Sequence, residues 1–248
     1  MNDALARVLP SAADSSRPWL TWYSPDERIE LTGHVLSMWH AKCAGFLTAE
    51  AGPGARVHLG MTPHWRTVTW CAGAWLAGAT PVLLDSGDSF VENLLDEPPS
   101  ISVAFRIHWL FPSADVQVLV TMGSLATHWP TPLPPLTLDG IADVMPFADH
   151  FPPAPTDGSE PALIVPQWDC LRTTSRDALV APAQSDAVEK ALGTGARALL
   201  IREETVERAM RGVMAAWRAG LTAVLISPDA DAALVSAAAR QEGIAGPQ

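Results

Sequence analysis

Lysine is nearly absent from this chain of 248 residues: Lys42 and Lys190 stand alone beside 14 arginines, and 27 acidic residues leave a formal net charge of −11. A chain so charged repels a phosphate backbone, and no local run of Lys and Arg offsets that repulsion, so nucleic acid is excluded as a partner. Cysteine is scarce too. Cys43, Cys71 and Cys170 are odd in number, far apart and without a C-x-x-C pair. That excludes a disulfide framework and a structural zinc site, and predicts reduced thiols in a core. No uninterrupted apolar run reaches the about 18 residues that mark a membrane span. Residues 1–16 carry Asp3 and Asp14 and no long apolar stretch, so they do not read as a signal peptide. The expectation is a cytoplasmic protein.

Motifs of chemistry are missing as well. His34, His40, His58, His64, His108, His128 and His150 form neither H-x-x-x-H nor H-E-x-x-H, and no metal site is expected. His58 on a strand and His64 at a helix start could converge on one cleft, but satisfied structural histidines are the simpler reading. There is no G-x-S-x-G elbow. Gly193-x-Gly195 precedes a strand rather than a helix, so it is no dinucleotide fingerprint.

What is present is a folded α/β chain. Apolar residues make up 48% and charged ones 17%, which excludes disorder and allows one large domain or two small ones. Apolar positions recurring at three and four predict a helix over 33–48. Gly52-Pro53-Gly54 breaks it, and alternation predicts a strand over 56–61. Thr62-Pro63 reads as a cap with proline at the first helical position. A helix over 63–77 follows, apolar all round and therefore buried. Gly78 ends it, and 81–84 reads as a strand buried on both faces.

The middle is less regular, with a short helix around Val91, Leu94 and Leu95 and strands over 101–105 and 116–120. Nine prolines between 130 and 161 predict an extended surface connector. Strand 162–165, strand 196–201, helix 203–219, strand 221–226 and a helix over 229–241 capped by Ser227-Pro228 complete the series. The expected fold is α/β, with mainly parallel sheets flanked by helices in two similar lobes. The first lobe would span 17–128, the connector 129–161, and the second lobe, packed on the first, 162–246.

One segment is echoed. Residues 74–84 read AWLAGATPVLL and residues 216–226 read AWRAGLTAVLI, with seven of eleven positions identical. A helix end, a glycine cap and a buried strand are used twice, 142 residues apart. That is too long for a solenoid repeat and points to two similar lobes.

These stretches resemble the N-terminal region of the adenylate-forming superfamily, which includes acyl-CoA synthetases, peptide-synthetase adenylation domains and luciferases. Residues 31–36, LTGHVL, sit where that superfamily has an L-T-Y-x-x-L helix start, with Gly33 in place of the aromatic. Residues 75–85, WLAGATPVLLD, look like its L-x-A-G-A-x-x-V-P-L-D segment. Residues 160–164, EPALI, look like the strand leading into its phosphate loop, and residues 218–226 like the G-A-x-x-V-L strand of the second lobe.

The departure comes next. Where the superfamily has T-S-G-T-T-G-x-P-K-G, this chain has VPQWDCLRTTS over 165–175, without glycine or lysine. Glycines let backbone N–H groups approach phosphate, and a lysine holds its charge. Pro166 removes a donor and Asp169 adds a negative charge instead. The hydroxyl cluster Thr173, Thr174 and Ser175 reads as a turn or cap. The superfamily's Y-G-x-T-E segment, its ribose-binding aspartate and its C-terminal lobe with the catalytic lysine find no counterpart either.

The resemblance therefore implies a catalytically degenerate acyl-CoA synthetase-like protein. It would have no catalytic, cofactor-binding or metal residues and no cofactor, and would act by binding a protein partner or a small acyl or nucleotide-like ligand. The alternative is an enzyme of altered chemistry, with a site completed by another chain. Residues 85–89, at the carboxyl end of a predicted parallel strand, and residues 173–175 are where it would work. A homodimer is a third expectation. Among ten tryptophans, Trp70, Trp75 and Trp217 are expected in the core, and Trp109, Trp129 and Trp168 along a pocket or contact.

Overall fold

A computed structural model describes residues 3–84, 95–167, 169–181 and 186–244, apart from the side chain of Asp186. Two sheets organise it. The larger has seven strands: β3 (Arg56–Gly60), β4 (Thr80–Val82), β5 (Ile101–Ala104), β6 (Val116–Leu119), β7 (Thr137–Asp139), β8 (Pro161–Gln167) and β9 (Cys170–Ser175), in the order β7-β6-β5-β3-β4-β8-β9. All its pairings are parallel except β8–β9. The smaller has β1 (Pro18–Tyr23), β2 (Arg28–Thr32), β10 (Ala198–Arg202) and β11 (Thr222–Ile226), in the order β10-β11-β1-β2. Only its β1–β2 pairing is antiparallel.

Each sheet takes strands from both expected lobes. β1 and β2, from the 17–128 stretch, extend the sheet of β10 and β11, while β8 and β9, from the 162–246 stretch, extend the larger sheet. Alternation already marks β2, where Ile29 and Leu31 are apolar and Arg28 and Glu30 polar. What the local pattern does not carry is the partner: Leu20 pairs with Ala223, about 200 residues along the chain.

The helices are α1 (Ala4–Val8), α2 (Gly33–Ala51), α3 (Trp65–Leu76), α4 (Arg176–Val180), α5 (Asp186–Gly193), α6 (Val206–Arg218) and α7 (Ala232–Gln241). One continuous core joins α2, α3 and α6 to strands of both sheets through Leu36, Phe46, Trp70, Trp75, Val213 and Leu225. Caps correct three expected helix starts. The side chain of His64, not Thr62, accepts from Arg66 N at 3.1 Å to open α3. Thr205 opens α6 in place of Glu203, and Asp231, whose Oδ1 accepts from Leu234 N, opens α7 in place of Ser227. In each case the helix begins where a side-chain acceptor meets a free backbone N–H.

The expected connector carries no helix, but it is more ordered than an extended strap. It adds β7 to the sheet edge and turns back under α2. There Lys42 Nζ donates to the carbonyls of Met145 and Phe147, at 2.8 and 2.6 Å, and pairs with Asp149. The Phe147 ring packs so closely on Gly45 that a Cβ there would lie 2.9 Å from its Cδ1.

The expected helix around Val91 and Leu94 lies outside the described residues. No helix among the described residues is long and apolar enough to cross a membrane.

Candidate functional site

β3, β4 and β8 run parallel, so their carboxyl ends open on the same side of the larger sheet. A cavity of about 360 Å³ lies there. Leu59, Met61, Thr62 and Pro63 line it from the end of β3, Leu83 and Leu84 from the end of β4, and Val165 and Pro166 from β8. The fourth wall, residues 204–207, comes from the smaller sheet, where β10 turns into α6. Crevices outside the carboxyl ends of parallel strands are where open α/β sheets bind ligands.

The cavity walls are mixed. Eight of its twelve lining residues are Leu, Met, Pro or Val, and its two charged side chains, Glu204 and Glu207, are both acidic. Two lining prolines, Pro63 and Pro166, have no backbone N–H to offer.

His58 supports the floor. Its Nε2 lies 3.2 Å from the Leu84 carbonyl and its Nδ1 2.8 Å from Ser102 Oγ. A carbonyl only accepts, so the proton is on Nε2; Nδ1 accepts from the Ser102 hydroxyl, whose oxygen in turn accepts from Phe111 N at 2.8 Å. Burial lowers the pKa of His58 to about 4, so the ring is neutral. His64 is buried between Trp22, at 4.5 Å between ring centroids, and Phe105, at 5.2 Å. Burial lowers its pKa to about 3. Each histidine has a structural partner, as its simpler reading expected.

The segment in the phosphate-loop position is a hairpin. β8 and β9 pair antiparallel from Pro161–Ser175 down to Gln167–Cys170, so only residues 168 and 169 connect them. Thr173 and Thr174 lie within β9, while Ser175 is the N-cap of α4, its hydroxyl accepting from Ala178 N. The cap reading therefore holds for Ser175 alone. Thr174 Oγ1 instead accepts from Arg172 Nη1 and Arg211 Nη2.

No family model matches the chain. A TIGR03089 family protein of Mycobacterium tuberculosis is 40% identical over 78 residues, which cover 30% of this chain and 32% of that protein. Solved structures align over nearly all of it. An acyl-CoA synthetase of Brucella canis superposes with a TM-score of 0.77 at 15% identity, covering 97% of this chain and 46% of that one. The acetoacetyl-CoA synthetase of Streptomyces lividans gives 0.70 at 16% identity, covering 97% and 44%. A benzoate CoA ligase of Burkholderia xenovorans LB400 gives 0.68 at 16% identity, covering 96% and 48%.

The fold is that of acyl-CoA synthetases. This chain spans less than half the length of each of those three proteins, and its match to the mycobacterial relative covers about a third of that protein.

Within the acyl-CoA synthetase fold, the residues singled out from sequence fall in different places. Residues 85–89 lie outside the described residues, but Leu84, immediately before them, lines the cavity. Trp70, Trp75 and Trp217 are buried in the core. Trp109 caps the end of β3, where its carbonyl would lie 2.3 Å from a Cβ at Gly60. Trp129 is half-buried and its indole donates to Thr131 Oγ1. Neither lines the cavity, and Trp168 lies outside the described residues.

Cys43 and Cys71 are buried, and burial pushes the Cys43 thiol up to about 12. Cys170 departs from the core expectation and is exposed beside the hairpin turn. Among the described residues no group of three or more His, Cys, Asp or Glu could hold a metal ion. Sequence reasoning missed Glu204, Thr205 and Glu207. Their signal was an acidic helix start, which reads equally well as dipole compensation.

Proposed function

We propose that this chain is a catalytically degenerate relative of the acyl-CoA synthetases that works in the cytoplasm by binding, with the cavity between the two sheets as its ligand site. The observation that carries the reading is the β8–β9 hairpin. It closes in two residues between Gln167 and Cys170, where the superfamily needs a long glycine-rich loop. Without backbone donors or a lysine at that place, the triphosphate of ATP has no cradle. The cavity remains, and its mostly apolar lining residues suit a small ligand rather than a nucleotide.

The test is a titration followed by intrinsic tryptophan fluorescence, with Mg-ATP, AMP, CoA and a panel of small apolar molecules. A response to apolar molecules with none to Mg-ATP or AMP supports the reading. Saturable Mg-ATP binding at micromolar concentrations overturns it. That outcome would favour the second reading, an enzyme of altered chemistry or one whose site is completed by another chain. A response to none of these ligands in a folded sample would turn the search to protein partners, a second copy of the chain among them.

A further inference from the structure

One carboxylate at the mouth of the cavity is gripped from two elements. Glu207 Oε2 accepts from Arg172 Nη2 at 2.5 Å, and its Oε1 accepts from Arg211 Nε at 3.0 Å. Both guanidiniums also reach the Thr174 hydroxyl, at 3.2 and 3.0 Å. Arg172 and Thr174 belong to β9, and Arg211 lies one turn beyond Glu207 on α6. Two cations thus converge on one anion, which the chain supplies itself, and the Thr174 hydroxyl accepts from both of them. Burial opposes the charge on Glu207, but the hydrogen bonds from Arg172 and Arg211 prevail and hold its carboxyl below the usual range.

Neither arginine lines the cavity, while Glu207 and Glu204 do. A ligand entering between Leu59, Met61, Leu84, Val165 and Val206 therefore meets carboxylate oxygens at the rim and no cation. The two guanidinium charges are spent on Glu207 rather than offered to a ligand, so an entering carboxylate finds no free cation, whereas an amide N–H or a hydroxyl can donate to the remaining carboxylate lone pairs.

We propose that Glu207 is the specificity-determining residue of this cavity: by occupying the cradle of Arg172, Arg211 and Thr174, it admits uncharged apolar molecules with a donor group and turns away carboxylic acids. This rests on reading the cavity as a ligand site.

The probes are octanamide and octanoate, nearly the same in shape and different in charge. Calorimetry at neutral pH is expected to show the wild-type chain binding octanamide about tenfold more tightly than octanoate. In Glu207→Gln the two arginines lose their internal anion, and octanoate should gain about tenfold, erasing the preference. Glu204→Gln removes an exposed charge that takes no part in the cradle. It should narrow the preference by about threefold, and it decides the matter if Glu207→Gln does not fold. Equal binding of both probes by the wild type, or an unchanged ratio in the folded variants, overturns the proposal and leaves the cavity a ligand site. Binding of neither probe at millimolar concentration overturns both.

Discussion

In the unit β3–α3–β4, helix α3 ends on Ala77 and Gly78 follows at φ +72°; in the unit β10–α6–β11, helix α6 ends on Ala219 and Gly220 follows at φ +72°. Ala79 N donates to Ala74 O and Gly78 N to Trp75 O, at 2.8 and 3.2 Å. Leu221 N donates to Ala216 O and Gly220 N to Trp217 O, at 2.9 and 3.0 Å. Both are Schellman closures. The echo extends to side chains. Trp75 Nε1 donates to Ala162 O in β8, the strand beside β4, and Trp217 Nε1 to Trp19 O in β1, the strand beside β11. A repeat seen as seven identities in eleven residues is thus a repeat of geometry, and it includes the neighbour each unit recruits.

The surroundings differ. Eleven of the twelve residues of α3 are buried, against seven of the thirteen of α6, whose outer face carries Glu207, Arg208, Arg211 and Arg218. The first unit holds two buried histidines and a buried guanidinium, Arg66, stacked 4.3 Å over the Trp65 ring. It also receives Arg176, which donates to Trp75 O at 3.0 Å and pairs with Asp3 at 2.6 Å. The second unit contains no histidine. The same local instruction therefore yields a central element in one place and a half-exposed one in the other, and their vulnerabilities should differ accordingly.

Acid should separate them most. Burial lowers His58 to about 4, His64 to about 3, and His40, on α2 beside Trp217, to about 3. Their unfolded pKa is about 6.5, so below that pH the unfolded chain binds more protons and stability falls. The loss should begin near pH 6.5, reach about 2 kcal/mol per histidine at pH 5, and continue until the folded pKa values are passed. Urea unfolding at neutral pH and at pH about 5 measures it. His64→Asn keeps a cap acceptor without the titration and should recover about a third of the loss. No recovery would place the acid sensitivity at groups other than His64.

Charge removal comes next. Asp3→Asn keeps the cap on Leu5 N but leaves Arg176 buried without its counter-ion, at a cost of about 3–5 kcal/mol. Burial opposes the charge on Asp3, yet the Arg176 and Thr156 hydrogen bonds hold its pKa below the usual value. The stability it confers is therefore present above the unfolded pKa and lost as pH falls through the folded one. The partly exposed pair of the second unit, Arg172–Glu207, should cost under about 1 kcal/mol when Glu207→Gln removes it. Comparable costs, measured by urea unfolding, would break the contrast between the units.

Trp75→Phe and Trp217→Phe probe the likeness instead. Each leaves one carbonyl, of Ala162 or Trp19, without its indole donor, and each should cost about 1–3 kcal/mol. A cost at one site alone, in thermal or urea unfolding, would mean that the echo is one of sequence only.

How much of this the sequence shows depends on range. The units were legible because a buried helix, a glycine cap and a β-branched strand are all written within about 25 residues. The absence of glycine and lysine over 166–175 was legible, and the structure forms a tight hairpin there. The helix starts were displaced by two to four residues, because Thr62 and Ser227 are cap types as good as Asp231, and acidic Glu203 suits a first turn as well as a position before it. The mixing of strands between sheets was not legible, nor was the Asp3–Arg176 pair, which joins residues 173 apart. The cavity is assembled from four separate segments, and only its β4 end had been marked, through residues 85–89. Apolar lining residues look like core in a sequence, and the difference lies in space that no residue fills.

The finest test of the comparison replaces the two glycines. Both sit in the left-handed region, where an alanine costs roughly 1 kcal/mol. At Gly220 a Cβ would meet nothing within 4 Å, so backbone strain is the whole effect there. At Gly78 it would lie 3.1 Å from Ala154 Cβ and 3.5 Å from Thr156 Cγ2, and Ala154 is tied to the end of α3 by its N–H bond to Leu76 O. Relieving that contact shifts the connector as well, and adds about 1 kcal/mol. Gly78→Ala should therefore be the more destabilising by about that amount, in chemical unfolding at neutral pH. Equal losses would mean that the connector yields freely at Ala154. A larger loss at Gly220 would mean that the exposed unit depends on its cap more than the buried one does.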